Sequence, residues 1–224
     1  MKKNRLASLL LLAGLLAGLV FPLSAGATET QPVQTPAPST APSSAPQQQS
    51  ALLASMHIEG TAALLVDDDT GEVLYEQNAH GKVYPASITK VMTCLLTLES
   101  IARGEHQLDE VVTVGDQVNY GIGADGSTAG IKAGEQLTIH DLLGAALIPS
   151  ANEACNAMAQ LVAGDVEAFV DLMNQRAQEL GMNDTHFANP HGYHDPDHYT
   201  SAYDIYLMAH EAMKDPTFRE LVSS

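Results

Sequence analysis

Two different periods of apolar and polar residues run along the chain, and each predicts its own kind of element. Residues 61–66 are apolar and rich in β-forming side chains, and residues 72–77 alternate imperfectly between apolar and polar side chains. An Asp-Thr-Gly turn signal at residues 69–71 separates these two runs. The pattern therefore predicts a β-hairpin, and the short apolar run at residues 111–114 predicts a further strand.

Several later segments carry apolar residues at three- and four-residue spacing, the period of a helix with one buried face. Gly104, Gly164 and Gly181 lie where three of these patterns stop, and Pro149 interrupts the chain between two of them. The capping signals Thr-Ile-His-Asp and Ser-Ala-Tyr-Asp open two of the segments. The pattern predicts helices over residues 87–103, 138–147, 153–163, 166–180 and 201–214, with loops over residues 119–134 and 183–200.

The N-terminal part of the chain predicts two segments that precede the folded domain. Three basic residues come before an apolar run rich in Leu and Ala, and an Ala-Gly-Ala site closes it, so residues 1–27 have the pattern of a cleaved signal peptide. A membrane anchor is the alternative, but the apolar run is short for a spanning helix and Pro22 follows it. Residues 28–50 are mainly Pro, Ser, Thr, Gln and Ala, which predicts a disordered linker. We therefore expect one domain over residues 51–224.

Composition narrows the classes of partner. The chain has 10 basic and 27 acidic residues, a formal net charge of −17. This excess of negative charge argues against nucleic acid and anionic membrane surfaces as partners.

The two cysteines, Cys94 and Cys155, leave two interpretations open. An exported protein could join them in one disulfide. Each also lies in an apolar helical pattern, which favours two buried free thiols equally well. Neither has a recognisable base beside it in the sequence that would make it a nucleophile.

Ser87 and Lys90 form an S-x-x-K pattern at the start of the first predicted helix. Three residues are slightly less than one helical turn, so the hydroxyl and the amine lie on the same face. A serine hydroxyl is a weak nucleophile that needs a neighbouring base, and a lysine can be that base if burial lowers its pKa. A capping serine and a solvated lysine would give the same letters. A second tripeptide, Ser150-Ala151-Asn152 between two predicted helices, favours the catalytic interpretation.

Together these motifs resemble the penicillin-binding serine D-alanyl-D-alanine carboxypeptidases, the low-molecular-weight DD-peptidases of the S11 type, which are related to the serine β-lactamases. The resemblance covers about residues 58–222 and follows landmarks in the family's order. These are LLVDDDTGEVLYE at residues 64–76, PASITKVMT at 85–93, LIPSANEA at 147–154, NPHG at 189–192 and SAYD at 201–204. The resemblance implies an α+β fold in which an antiparallel sheet is flanked by a helical subdomain, with the active cleft between them.

The same resemblance implies a reaction and a role for each motif residue. Ser87 would attack the carbonyl carbon of the penultimate D-Ala in a peptidoglycan stem peptide ending in D-Ala-D-Ala, and Lys90 would be the general base. Ser150 would relay a proton to the leaving D-Ala, and Asn152 would hold the substrate amide and orient Lys90. The expected partners are these stem peptides and, as acylating inhibitors, β-lactam antibiotics; no cofactor is expected. The protein is expected to be exported to the extracytoplasmic side of the bacterial membrane.

The third motif of the family, K-T-G, is absent from the sequence. Lys214 is the only lysine after Asn152, and Asp215 follows it. The residues that would bind the terminal carboxylate of the substrate are therefore unassigned, and the sheet is expected to be incomplete. We expect the chain to be an N-terminal fragment that is inactive or poorly folded alone, and a peripheral membrane attachment through a C-terminal segment stays open. A family member that ends at Ser224 is the alternative.

Two other functions fit part of the pattern. A β-lactamase-like hydrolase of class A would carry a deacylation base in an E-x-x-x-N motif, and the match at Glu179 to Asn183 spans a predicted helix end at Gly181. An exported module that binds cell-wall peptides or penicillin without catalysis is the third hypothesis.

The segment from residue 186 to residue 198 is rich in His and Asp and raises the question of a metal. The spacing does not match the helix-borne H-E-x-x-H pattern, and the segment is predicted as a loop containing Pro and Gly. We therefore assign no metal ligands there. His191 and Gly192 are expected to shape a loop beside the active cleft.

Overall fold

A computed structural model describes residues 58–223 of the protein. The predicted signal peptide, the predicted linker and residues 51–57 lie outside the described residues. The described part contains α-helices and two small antiparallel sheets, an α+β arrangement. Between residues 58 and 223, no helix is both long enough and apolar enough to cross a membrane.

The first sheet is the predicted hairpin. β1 (Ala63–Val66) and β2 (Val73–Gln77) pair antiparallel. Asp67 organises the turn between them, because its carboxylate accepts hydrogen bonds from the backbone N–H and the hydroxyl of Thr70, each at 2.9 Å. Gly71 completes the turn with a φ of +72°, a backbone conformation that favours glycine. The Asp-Thr-Gly signal therefore places the hairpin where the sequence predicts it.

The described chain contains six α-helices, and the sequence pattern predicts five of them. They are α1 (Lys90–Ala102), α2 (Ile139–Leu147), α3 (Asn152–Ala163), α4 (Val166–Glu179), α5 (Ala202–Ala212) and α6 (Pro216–Val222). A 3-10 helix, Ala86–Thr89, leads directly into α1. The pattern does not predict α6, because 7 residues are too few to show a helical period. Its start is marked only locally, by the capping side chain of Asp215.

The second sheet joins β3 (Val111–Thr113) to β4 (Gln136–Thr138). The sequence predicts β3 but not β4, because β4 is short and runs straight into α2. Thr138 belongs to both elements: it ends β4, and its hydroxyl caps α2 by accepting a hydrogen bond from Asp141 N–H at 3.0 Å. The Asp141 carboxylate in turn accepts a hydrogen bond from Thr138 N–H at 3.1 Å. The predicted capping box is therefore confirmed.

The core is built around α3, which contacts α1, α2 and α4. One reason is its composition: Ala154, Ala157 and Ala159 are almost completely buried and allow the neighbouring helices to come close. Larger side chains, such as Phe169 of α4 and Leu142 of α2, fill the space around them. The position of α3 is thereby fixed by the three helices that pack against it.

Both cysteines lie in this core as free thiols. Cys94 on α1 and Cys155 on α3 are fully buried, and neither is part of a disulfide. Burial raises the pKa of the Cys94 thiol well above its ordinary value and that of Cys155 to about 12. Of the two interpretations of the cysteines, the structure therefore contains the buried thiols, and pKa values this high keep them protonated and unreactive.

Candidate active site

The hydroxyl of Ser87 lies at the N-terminal end of α1, in the 3-10 helix Ala86–Thr89. Its side chain is exposed, whereas Lys90, the first residue of α1, is only 2% exposed. Lys90 Nζ lies 3.1 Å from Ser87 Oγ, a hydrogen-bond distance. The S-x-x-K spacing therefore brings an accessible hydroxyl into contact with a buried amine.

Ser150 reaches the same hydroxyl from a distant part of the chain. It lies in the break between α2 and α3 with a φ of +62°, in the left-handed region. Its Oγ donates a hydrogen bond to Ser87 Oγ at 3.0 Å. A left-handed residue other than glycine costs about 1–3 kcal/mol, and such residues cluster at functional sites. The structure thus brings together three of the predicted site residues, Ser87, Lys90 and Ser150.

Burial determines the electrostatics of Lys90. Removing its ammonium group from water lowers the pKa of this lysine from its ordinary value. A second hydrogen bond runs from Lys90 Nζ to the carbonyl oxygen of His191 at 2.9 Å. In the neutral amine, one N–H can stay on this carbonyl oxygen while the lone pair faces the Ser87 hydroxyl. Lys90 is therefore placed to accept the serine proton.

The carbonyl oxygen of His191 is held in place by a network around Asn189. Asn189 Oδ1 accepts hydrogen bonds from the backbone N–H groups of His191 at 3.3 Å and of Gly192 at 2.7 Å. The preceding carbonyl oxygen, of Pro190, accepts a hydrogen bond from Thr93 Oγ1 on α1 at 2.5 Å. The loop is therefore tied to α1 beside the amine, which agrees with the expected role of His191 and Gly192.

Gly192 allows this loop to touch the segment that carries the nucleophile. Its φ is +85°, and a Cβ built on it would lie 1.8 Å from the carbonyl oxygen of Ala86. Ala86 itself has a φ of +48°. Only glycine fits such a close approach between two backbones. The three segments that meet at Ser87 therefore each contain a residue with a positive φ, namely Ala86, Ser150 and Gly192.

Asn152 is buried at the first position of α3. Its backbone N–H donates a hydrogen bond to the carbonyl oxygen of Ser127 at 3.0 Å. Its Nδ2 lies 3.0 Å from the position that a Cβ on Gly126 would occupy, so the loop passes directly over the side chain. Among the described residues, no hydrogen bond joins Asn152 to Lys90, and the His191 carbonyl orients the amine instead. The substrate-holding role of Asn152 stays a prediction.

Glu153 is a residue of this region that the sequence pattern does not single out. It follows the Ser-Ala-Asn tripeptide directly, and it is 1% exposed. Its carboxylate accepts hydrogen bonds from residues 128–131. The available signal was a carboxylate at the start of an otherwise apolar helix, because a buried charge requires partners.

Two of the histidines considered as metal ligands, His191 and His198, are buried and make hydrogen bonds through their ring nitrogens. His198 Nδ1 accepts from Ala188 N–H at 3.0 Å, so its Nε2 carries the proton and donates to Thr89 Oγ1 at 2.7 Å. His191 Nδ1 accepts from Tyr193 N–H at 3.1 Å. Burial lowers the pKa of both imidazoles to about 4, which keeps them neutral. The described part of the chain contains no group of three His, Cys, Asp or Glu side chains that could hold a metal ion.

The chain matches a known family over most of its length. Residues 45–223 match the profile Peptidase_S11, described as D-alanyl-D-alanine carboxypeptidase. The chain is 38% identical over 156 residues to the D-alanyl-D-alanine carboxypeptidase DacF of Bacillus subtilis (strain 168), an alignment that covers 70% of this chain and 39% of the relative. The chain spans about 40% of the length of the curated relatives that it matches.

Solved structures show the same similarity in three dimensions. The crystal structure of the D-alanyl-D-alanine carboxypeptidase DacD from Francisella tularensis matches with a TM-score of 0.71 at 31% identity, over 75% of this chain and 40% of that chain. Penicillin binding protein 6B from Escherichia coli matches with a TM-score of 0.70 at 31% identity, over 75% of this chain and 55% of that chain. The α+β fold class implied by the sequence resemblance is therefore confirmed.

Proposed function

Because the chain belongs to the S11 family of D-alanyl-D-alanine carboxypeptidases, we propose that the full-length protein is a serine hydrolase that removes the terminal D-Ala from peptidoglycan stem peptides. The observation that carries this proposal is the contact of one exposed hydroxyl with two further polar groups. Ser87 Oγ lies 3.1 Å from Lys90 Nζ and 3.0 Å from Ser150 Oγ. A nucleophile beside a buried base is the arrangement that acyl transfer requires, and the second hydroxyl can relay a proton to the leaving group.

In the proposed first step, Ser87 Oγ attacks the carbonyl carbon of the penultimate D-Ala, and its proton passes to the neutral amine of Lys90. The proton then moves through Ser150 Oγ to the nitrogen of the leaving D-Ala as the peptide C–N bond breaks. The product is an ester between Ser87 and the shortened stem peptide. Water attacks this ester, and release of the peptide restores the serine hydroxyl.

Two further groups support the substrate in this proposal. The backbone N–H of Ser87 is one donor to the negative charge that develops on the substrate carbonyl oxygen. The side chain of Asn152, beside the cleft under the loop that contains Gly126, holds the substrate amide. The group that binds the terminal carboxylate is not assigned to any described residue.

The same acyl chemistry extends to β-lactam antibiotics. Attack of Ser87 Oγ on the β-lactam carbonyl opens the strained ring and leaves the drug bound as an ester. Because peptidoglycan lies outside the cytoplasmic membrane, we place the protein in the cell envelope after export, with a role in cell-wall biosynthesis and remodelling. The signal-peptide pattern of residues 1–27 supports this placement.

A fluorescent penicillin tests the proposal on the full-length protein expressed from its gene. We expect covalent labelling of the peptide that contains Ser87, detected by mass spectrometry, and release of D-Ala from a peptide ending in D-Ala-D-Ala. Ser87→Ala should abolish both signals. Ser223→Ala, an exposed serine beyond the end of α6, should leave both unchanged.

Each other outcome selects a different function. Absence of labelling and of D-Ala release would overturn the catalytic proposal and favour the non-catalytic binding module. Labelling followed by rapid hydrolysis of the penicillin, without D-Ala release, would favour the β-lactamase-like hydrolase.

A further inference from the structure

The carboxylate of Glu153 is buried against a loop and accepts an unusual number of hydrogen bonds. Its Oε1 accepts from Thr128 Oγ1 at 2.6 Å and from the backbone N–H groups of Ala129 at 2.7 Å, Gly130 at 2.8 Å and Ile131 at 3.2 Å. Three successive backbone N–H groups that converge on one oxygen form an anion-binding nest. In this protein the anion comes from the protein itself.

The charge state of Glu153 follows from the balance of burial and hydrogen bonding. Burial by itself raises the pKa of this carboxyl, but the hydrogen bonds from Thr128 and from the backbone outweigh burial, and the net pKa lies below its ordinary value. The second oxygen, Oε2, is buried and has no hydrogen-bond partner among the described residues. An ionised carboxylate with one oxygen left unpaired is costly to bury, so the loop contacts must compensate for it.

The same loop also contacts the predicted site through Asn152. The carbonyl oxygen of Ser127 accepts a hydrogen bond from Asn152 N–H at 3.0 Å, and Gly126 packs over Asn152 Nδ2. The loop is therefore fixed to two neighbouring residues at the start of α3, to Asn152 at one end and to Glu153 at the other.

Few other contacts hold this loop. Residues 127–130 are all exposed, and only Ile131 at its end is buried. Gly126 and Gly130 allow the backbone more conformations than other residues would, so the sequence of the loop does little to order it. The carboxylate of Glu153 is thus the main buried group that can order it.

We propose that Glu153 is a positioning residue: its carboxylate holds residues 126–131 against Asn152 and so fixes one wall of the cleft at Ser87. Glu153 forms no hydrogen bond with Ser87 or Lys90 among the described residues, although its negative charge partly offsets the lowering of the Lys90 pKa by burial. The positioning role that we assign to it runs through the loop and Asn152. This inference rests on the proposed function, because it assigns the loop to the substrate cleft.

Two variants of the full-length protein separate charge from shape. Glu153→Gln keeps the length of the side chain and removes its charge, whereas Glu153→Asp keeps the charge and shortens the side chain. We expect backbone amides 129–131 to exchange with deuterium at least about tenfold faster in Glu153→Gln than in the wild type. In Glu153→Asp the exchange should also be faster than in the wild type, but by a smaller factor. Acylation of Ser87 by a fluorescent penicillin should slow in the same order. Glu135→Gln, which changes an exposed carboxylate just before β4, is the control and should change neither measurement.

The two measurements have separate meanings. The carboxylate does not position the loop if amides 129–131 of Glu153→Gln exchange at the wild-type rate. The same conclusion follows if these amides exchange more slowly, and Ser87 is acylated faster, in Glu153→Gln than in Glu153→Asp. If wild-type protein shows the protected loop but is never acylated, the proposed function fails while the loop contact stands, and the assignment of the loop to a catalytic cleft is overturned.

A milder variant covers the case in which Glu153→Gln does not fold. Thr128→Val removes one donor from the exposed side of the loop and leaves the core intact. We expect faster exchange at residues 129–131 and slower acylation, each by a smaller factor than in Glu153→Gln. Unchanged exchange and unchanged acylation in Thr128→Val would contradict the proposal.

Discussion

Burial separates Lys90 from an ordinary surface lysine. Its amine is almost completely removed from water and has hydrogen-bond contacts to Ser87 and to the His191 carbonyl oxygen. Because burial disfavours the ammonium form, a larger fraction of the side chain is neutral near neutral pH than for an exposed lysine. The chemistry that we propose for this site therefore depends on the burial of Lys90 and not on the S-x-x-K motif alone.

A prediction for Lys90 follows from this dependence. Lys90→Arg keeps the positive charge and part of the hydrogen bonding, but a guanidinium cannot lose its proton and cannot accept one from Ser87. We expect the rate of Ser87 acylation by a fluorescent penicillin to fall by about 10²–10⁴-fold, the usual contribution of a general base. Retention of wild-type rates in a folded Lys90→Arg protein would show that Lys90 is not the base.

Gly192 gives a second prediction at this scale. Gly192→Ala adds a Cβ that would lie 1.8 Å from the Ala86 carbonyl oxygen and also strains a φ of +85°. Gly181→Ala is the matched control, because Gly181 has a φ of +78° but nothing within 4 Å of the added Cβ. Urea unfolding should show a loss of about 1–2 kcal/mol for Gly181→Ala from backbone strain alone. The loss for Gly192→Ala should be clearly larger, and equal losses would mean that the loop does not press on Ala86.

Single residues were predictable from the sequence only when their spacing was local or their motif was complete. The pair Ser87 and Lys90 is defined by helical spacing, and the structure places them in contact. Glu153 and the carbonyl oxygen of His191 could not be found in this way, because their partners lie 22 or more residues away in the chain. A carbonyl oxygen also has no side-chain signature, so its role depends entirely on the fold.

At the scale of elements, the sequence predicts those with a clear start or a long period. The hairpin has its turn signal, and the five longer helices have their apolar stripes. By contrast, β4 and α6 are too short for a period to appear. The loop between α4 and α5 contains no helix and no strand, and its order comes from isolated β-bridges and from hydrogen bonds of individual side chains.

That loop makes the stability of the protein dependent on pH. His191 and His198 have a pKa of about 4 in the folded protein, against 6.5 for an exposed histidine, because burial opposes their charged forms. Between pH 6.5 and pH 4 the unfolded chain binds more protons than the folded chain, so stability is complete above pH 6.5 and falls as the pH is lowered. Each histidine contributes about 3 kcal/mol across this range.

Urea unfolding at several pH values between 5 and 7 measures this effect. We expect the free energy of unfolding to decrease toward pH 5, before most carboxyl groups begin to titrate. His198→Gln cannot take up a proton at this position. The slope of its free energy of unfolding with pH should therefore be smaller, by the amount that corresponds to about one bound proton. A slope identical to the wild type would show that His198 is not buried in its neutral form.

At the scale of the whole molecule, the two cysteines report on the integrity of the core. Cys94 and Cys155 lie on α1 and α3, the helices whose first turns carry Lys90 and Asn152. Both thiols are fully buried, and their raised pKa values suppress the reactive thiolate. The packing that protects them is therefore the packing that aligns the site.

Thiol labelling measures whether the packing around Cys94 and Cys155 is intact. We expect a thiol-reactive disulfide reagent to leave Cys94 and Cys155 unlabelled in the native protein and to label both after addition of denaturant. Cys94→Ala should lower the labelling of the unfolded chain by one thiol. Fast labelling of either residue under native conditions would show that α1 and α3 open independently of global unfolding.

The hydrogen bonds at Ser87 join segments that are far apart in the chain. Ser150 is 63 residues from Ser87, and His191 is 101 residues from Lys90. Closing loops of this length costs chain entropy, so we expect these contacts to form after the helices have packed. If Ser87 is the nucleophile that we propose, acylation by a β-lactam would become possible only late in folding. A molecule that has buried its thiols but does not yet have Gly192 packed against Ala86 would then be compact and still unreactive toward a β-lactam.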